Sequence, residues 1–110
     1  MIVDIVTPAD PLLDTHLQTI ELLRDGSHVR DYSSMEWRSM IEEAGFELRR
    51  QQDWKVPLDF DAWVGRMKTS SIYVDAIRSL LTNAPQEVRE YFQIAGDGSF
   101  VADAALIEAS

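Results

Sequence analysis

The apolar positions of this chain change period several times, and each change marks an element. Ile2, Val3, Ile5 and Val6 form a β-branched run broken only by Asp4 and stopped by Thr7 and Pro8, which predicts a short strand. Asp10 before Pro11 then has the chemistry of a helix start, because the carboxylate can accept from free N–H groups and proline's fixed φ suits the first helical position. Leu13, Leu17, Ile20 and Leu23 follow at helical spacing, and Gly26 supplies a stop. A polar loop from Ser27 to Tyr32 comes next. Ser33 and Glu36 have the spacing of a capping box, Tyr32 and Trp37 stand where a hydrophobic staple forms, and Trp37, Met40, Ile41 and Ala44 give one apolar face before Gly45.

From Phe46 to Val56 the period changes to two. Phe46, Leu48, Trp54 and Val56 share one parity against Glu47, Arg49, Gln51, Asp53 and Lys55, so a strand with one wet face is predicted. Arg50 and Gln52 interrupt its apolar side, which implies a bulge or a stretch reaching beyond the core. Asp59 can cap a helix that buries Phe60, Trp63, Val64 and Met67. A further helix starting between Thr69 and Ser71 should bury Ile72, Ala76, Ile77 and Leu80, and a short one carries Val88 and Phe92. Gly96, Asp97 and Gly98 make a turn, after which Phe100 to Ile107 shows little polar alternation, as a strand buried on both faces does. That strand belongs in the centre of the sheet and Phe46–Val56 at an edge. The expected fold is α+β, a three-stranded mixed sheet in the order first, last, middle strand, with four to five helices, and residues 1–110 form a single domain without linker or repeat.

Composition narrows what such a domain could do. Ten Lys plus Arg against nineteen Asp plus Glu give a net charge of −9, which repels a phosphate backbone and argues against nucleic acid as a partner. The chain has no cysteine, so thiol catalysis, disulfides and thiolate metal sites are excluded, and a reducing cytoplasmic location is expected. Its apolar runs are far shorter than the roughly 20 residues that span a bilayer, so no membrane role is expected.

Five segments taken in order carry a resemblance: the strand IVDIVTP, ELLRDGSHVRDYS, EWRSMIEEAGF, DFDAWVGRM and the terminal DGSFVADAALIEA. Together they resemble the C-terminal half of a class I S-adenosylmethionine-dependent methyltransferase of the type 11 group, close to ubiquinone and menaquinone biosynthesis enzymes. The resemblance implies a truncated Rossmann-like fold, with Ile2–Val6 as the fifth of seven strands and the N-terminal cofactor-binding half outside these residues. It also implies a small-molecule acceptor and S-adenosylmethionine as the family's cofactor. The one Gly-x-Gly here is Gly96-Asp97-Gly98, which lies in the wrong place for the family's phosphate loop. No cofactor is therefore expected on this chain alone, and the chain is expected to be inactive by itself. Its first strand should present a raw edge, for which a homodimer or a separate N-terminal half is the expected partner. The alternative is a non-catalytic homodimeric module for protein interaction or small-ligand binding.

The candidate substrate-binding residues are Asp4, His28, Arg30, Asp31 and Tyr32. By resemblance the loop holding the last four lies beyond the carboxyl end of the first strand, where an acid-base group, a cation, a carboxylate and a phenol could orient an acceptor or take its proton. The competing structural reading pairs Asp31 with Arg30 or Arg24 and leaves Tyr32 as the staple. Asp4 is a carboxylate inside an apolar run, either facing solvent or part of an active-site wall. His16 reads as a partly buried structural histidine. The two histidines are twelve residues apart without a ligand pattern, so no metal is expected. Trp37, Trp54, Trp63, Phe60, Met35, Met40 and Met67 could line a pocket for a flat or lipidic substrate, but at helical and strand spacing they read as core.

Overall fold

The computed structural model describes residues 1–110, which form β1 (Ile2–Val6), α1 (Pro11–Arg24), α2 (Ser34–Glu43), β2 (Leu48–Leu58), α3 (Phe60–Arg66), α4 (Ser71–Thr82), α5 (Gln86–Tyr91) and β3 (Phe100–Ala109). The predicted caps account for the starts of α1, α2 and α3. Asp10 accepts from the backbone N–H of Leu12 and Leu13 with Pro11 at the first helical position, and Asp59 accepts from Ala62. Ser33 and Glu36 make the full capping box, and the Tyr32 and Trp37 rings meet edge to face at 5.5 Å beside it. Gly45 follows α2 with φ +87°, the left-handed conformation that a side chain would resist. Gly26 does not play that part for α1, which ends in an extended Asp25.

The sheet order is β1-β3-β2, with the last strand central as expected. The expected mixed sheet is corrected. Both ladders are antiparallel, because β1 and β2 run the same way but never touch, and β3 reverses between them. β3 is covered on both faces. On one, Phe100 and Ala102 join Leu17, Ile20, Phe60, Trp63, Ile77, Leu81, Val88 and Phe92 in the main core built by α1, α3, α4 and α5. On the other, Ala105 and Ile107 meet Val6 and Ile41 under α2.

Two apolar stripes differ from their predicted phases. In β2 a bulge falls between Leu48 and Arg50, the site where the sequence pattern breaks. One extra residue reverses every later side chain. Leu48 therefore joins Ile41 and Ile107 under α2, whereas Leu58 packs into the main core. The two parities do not form one dry and one wet face: Leu48, Val56 and Leu58 are half-buried, the rest of β2 is exposed, and Trp54 retains 39% of its surface. In α4 the buried line is Ile77 and Leu81 with Val74 beside it, while Ile72 and Leu80 face outward. Both stripes on α4 are apolar, so helical spacing alone admits either. Packing against α1 selects one. Met35 and Met67 are likewise exposed rather than core.

Candidate functional site

The carboxyl end of β1 opens onto a polar network joined through Thr7. Its N–H donates to the Tyr32 carbonyl at 3.1 Å and its hydroxyl donates to Asp14 Oδ1 at 2.7 Å. The Gln18 amide carries the network onward. Its nitrogen donates to Asp14 Oδ1 and to the Asp31 carbonyl, and its oxygen accepts the Asp31 N–H at 3.0 Å. The same oxygen lies 2.9 Å from His28 Nε2. Since the oxygen is fixed as an acceptor by Asp31, His28 Nε2 must be the donor, and neutral His28 keeps its free lone pair on Nδ1.

The sequence-predicted residues separate here into two groups. His28 and Asp31 come together with Glu21 of α1: His28 Nδ1 stands 3.9 Å from Glu21 Oε2, and Nε2 stands 4.0 Å from Asp31 Oδ2. Arg30 turns away to Asp14 and Glu36 at 3.5 and 3.4 Å, and Tyr32 is the staple. Asp4 is exposed and accepts the N–H of Ile5, yet its charge reaches Glu21 and Asp31. Asp31 forms no ion pair with Arg30 or Arg24, because Arg30 is engaged elsewhere and Arg24 lies against Glu21 at 3.5 Å. Burial, first, and then the negative charges of Glu21 and Asp4 push the Asp31 carboxyl up to about 7. Burial also raises Glu21, against the pull of Arg24 and His28.

A second cluster was not visible in the sequence. Tyr91, which ends α5, donates its hydroxyl to Asp103 Oδ2 of β3 at 2.5 Å, while Lys55 of β2 meets Asp103 Oδ1 and stands over the Tyr91 ring at 4.6 Å. Burial and the Asp103 contact raise the Tyr91 hydroxyl, so it remains a donor at neutral pH. The hydrogen bond from Lys55 to Asp103 raises the lysine as well. Tyr91 and Asp103 border an open pocket of about 290 Å³ shared with Thr7, Ser33, Ser34 and Met35. Register places them: Asp103 lies opposite Val6 on one side and Lys55 on the other, at the end of the sheet where α/β folds keep their ligands. An Asp within the apolar run of β3 was the available signal.

The sequence matches no protein-family profile. It is 43% identical over 109 residues to an uncharacterized protein, YafE, of Escherichia coli, covering 99% of this chain and 53% of that one. To the uncharacterized methyltransferase YcgJ of Bacillus subtilis it is 34% identical over 94 residues, 86% of this chain and 37% of YcgJ. Among solved structures, a candidate methyltransferase of Bacillus halodurans superimposes with a TM-score of 0.91 at 29% identity, over 97% of this chain and 52% of that protein. The YcgJ structure gives 0.89 at 33% identity, over 97% and 48%. The chain thus spans about half the length of the relatives it matches, and it resembles that half of a methyltransferase.

Proposed function

We propose that the chain is the acceptor-side, C-terminal part of an S-adenosylmethionine-dependent methyltransferase acting on a small molecule. The likeness of nearly all its residues to half of a methyltransferase carries this reading. The pocket at the carboxyl end of β1 suits the role. The Ser33 and Ser34 hydroxyls can donate to a small acceptor there, whereas Thr7 and Tyr91, whose protons go to Asp14 and Asp103, can only accept. These residues do not fit the cofactor itself. Gly98 has φ +92°, and a Cβ on it would stand 2.8 Å from Phe60 Cδ1, so this glycine serves close packing on Phe60 rather than a phosphate cradle. Methyl transfer by this chain then needs a cofactor loop from another segment or a partner, and the 110 residues alone are inactive.

A non-catalytic homodimeric module is the second reading, and one observation favours it. Ile2, Trp37, Met40, Phe46 and Ile107 line a wholly apolar open hollow of about 410 Å³ beside the free edge of β1. Surface of this kind, and an unpaired strand edge, invite a second copy or a complementary half. Titrating the chain with S-adenosylhomocysteine while following amide shifts, with the mass in solution measured on the same sample, separates the readings. Saturable shifts at His28–Tyr32 support a cofactor site completed by a partner copy. A dimeric mass with no shift at millimolar ligand supports the non-catalytic module, and a monomer with no shift removes the homodimer from both readings.

A further inference from the structure

We propose that Glu21, His28 and Asp31 form a binding site for a divalent transition metal of the zinc type. The site shares His28 and Asp31 with the candidate acceptor loop, but none of its three residues lines the pocket at Thr7, and zinc alone tests it without acceptor or S-adenosylhomocysteine. One ligand atom of each residue lies within 4.8 Å of the other two, and the side chains are only 9%, 13% and 11% exposed. A four-coordinate zinc with bonds of about 2.0–2.1 Å holds its ligand atoms about 3.4 Å apart, so modest side-chain rotation closes the set on an ion. Three protein ligands of mixed imidazole and carboxylate type, with a fourth position for water, suit zinc better than the all-oxygen shells of magnesium or calcium.

Two further observations point to a ligand. Asp31 Oδ2 is fully buried and accepts no hydrogen bond, although the backbone N–H and carbonyl of the same residue are both held by Gln18. A carboxylate oxygen closed off from water without a donor is costly, and a cation satisfies it. The second is the histidine tautomer. Gln18 fixes the proton of His28 on Nε2 and leaves the Nδ1 lone pair toward Glu21, as partners behind metal-bound histidines do. The charges agree with this. The negative charges of Glu21, Asp4 and Asp14 all act on the Asp31 carboxyl, and Arg24 is the guanidinium set against them. Arg30, the other nearby cation, is held by Asp14 and Glu36. Histidine spacing gives no sign of the site, because it draws one ligand from a helix and two from the loop beyond it.

The test is calorimetric titration of the metal-stripped 110-residue chain with zinc alone, repeated with cobalt as a spectroscopic probe. One saturable zinc per chain is expected, with a visible cobalt band of low-symmetry four- or five-coordination. Asp31→Asn and Glu21→Gln should each weaken binding by about 100-fold or more, whereas His16→Gln, at the other histidine, should leave it unchanged. Ring-nitrogen shifts on the unmutated protein do not depend on any variant folding: His28 should move on zinc addition and His16 should not. Absence of saturable binding to the unmutated chain overturns the proposal, as does full affinity in folded Asp31→Asn or movement of His16 in place of His28.

Discussion

Protonation of His16, a residue outside the candidate site, should work against the fold as pH falls. Its ring lies 5.3 Å from that of Phe92, and Nε2 is buried without a hydrogen-bond partner. Burial pushes its pKa down from 6.5 to about 4. Between those values the unfolded chain binds a proton that the folded chain refuses, so stability rises with pH there. The contribution is fully present above the unfolded value and is lost as pH falls toward and through about 4. Complete linkage over that interval is about 3 kcal/mol, and water at the open side of the ring reduces it to about 1–2 kcal/mol. Asp31 works in the opposite sense. Its raised carboxyl contributes stability that is full below the ordinary carboxylate range and is lost as pH rises through about 7. Urea unfolding of the unmutated protein and of His16→Leu, in metal-free buffer at about pH 7.5 and about pH 4.5, isolates the histidine because Asp31 is common to both. His16→Leu should gain about 1–2 kcal/mol relative to the unmutated protein between the two conditions. A gap constant within about 0.5 kcal/mol would refute the linkage.

Gly98→Ala should cost about 2–3 kcal/mol in denaturant unfolding, since it combines a left-handed backbone with a Cβ pressed on fully buried Phe60. Gly96→Ala, which meets nothing within 4 Å, should change stability by no more than about 0.5 kcal/mol. Ser33→Ala should cost about 1 kcal/mol in thermal unfolding, because it removes the hydroxyl that accepts the Glu36 N–H.

Local chemistry, carried in consecutive residues, determined where most of the elements lie. The caps at Asp10, Ser33 and Asp59 and the left-handed Gly45 act within one turn of chain, and each appears where the sequence places it. The doubly apolar stretch of β3 likewise identified the central strand, because only a strand covered on both faces can dispense with polar alternation. Tertiary packing decided what the pattern leaves degenerate. On α4 two apolar stripes compete, and contact with α1 chooses between them. In β2 one extra residue sends Leu48 and Leu58 to opposite faces.

The candidate sites show the same division. The loop from Ser27 to Tyr32 drew attention by its residue types. Which of its side chains act together depends on Gln18 and Glu21, ten and seven residues before His28 on a helix whose orientation the core sets. Tyr91, Asp103 and Lys55 come from three elements and meet through sheet register and the docking of α5. The sequence by itself determined the local backbone, because caps and turns are short-range. The assembly of charged groups was decided only by the tertiary structure, since burial and long-range register are properties of the packed whole.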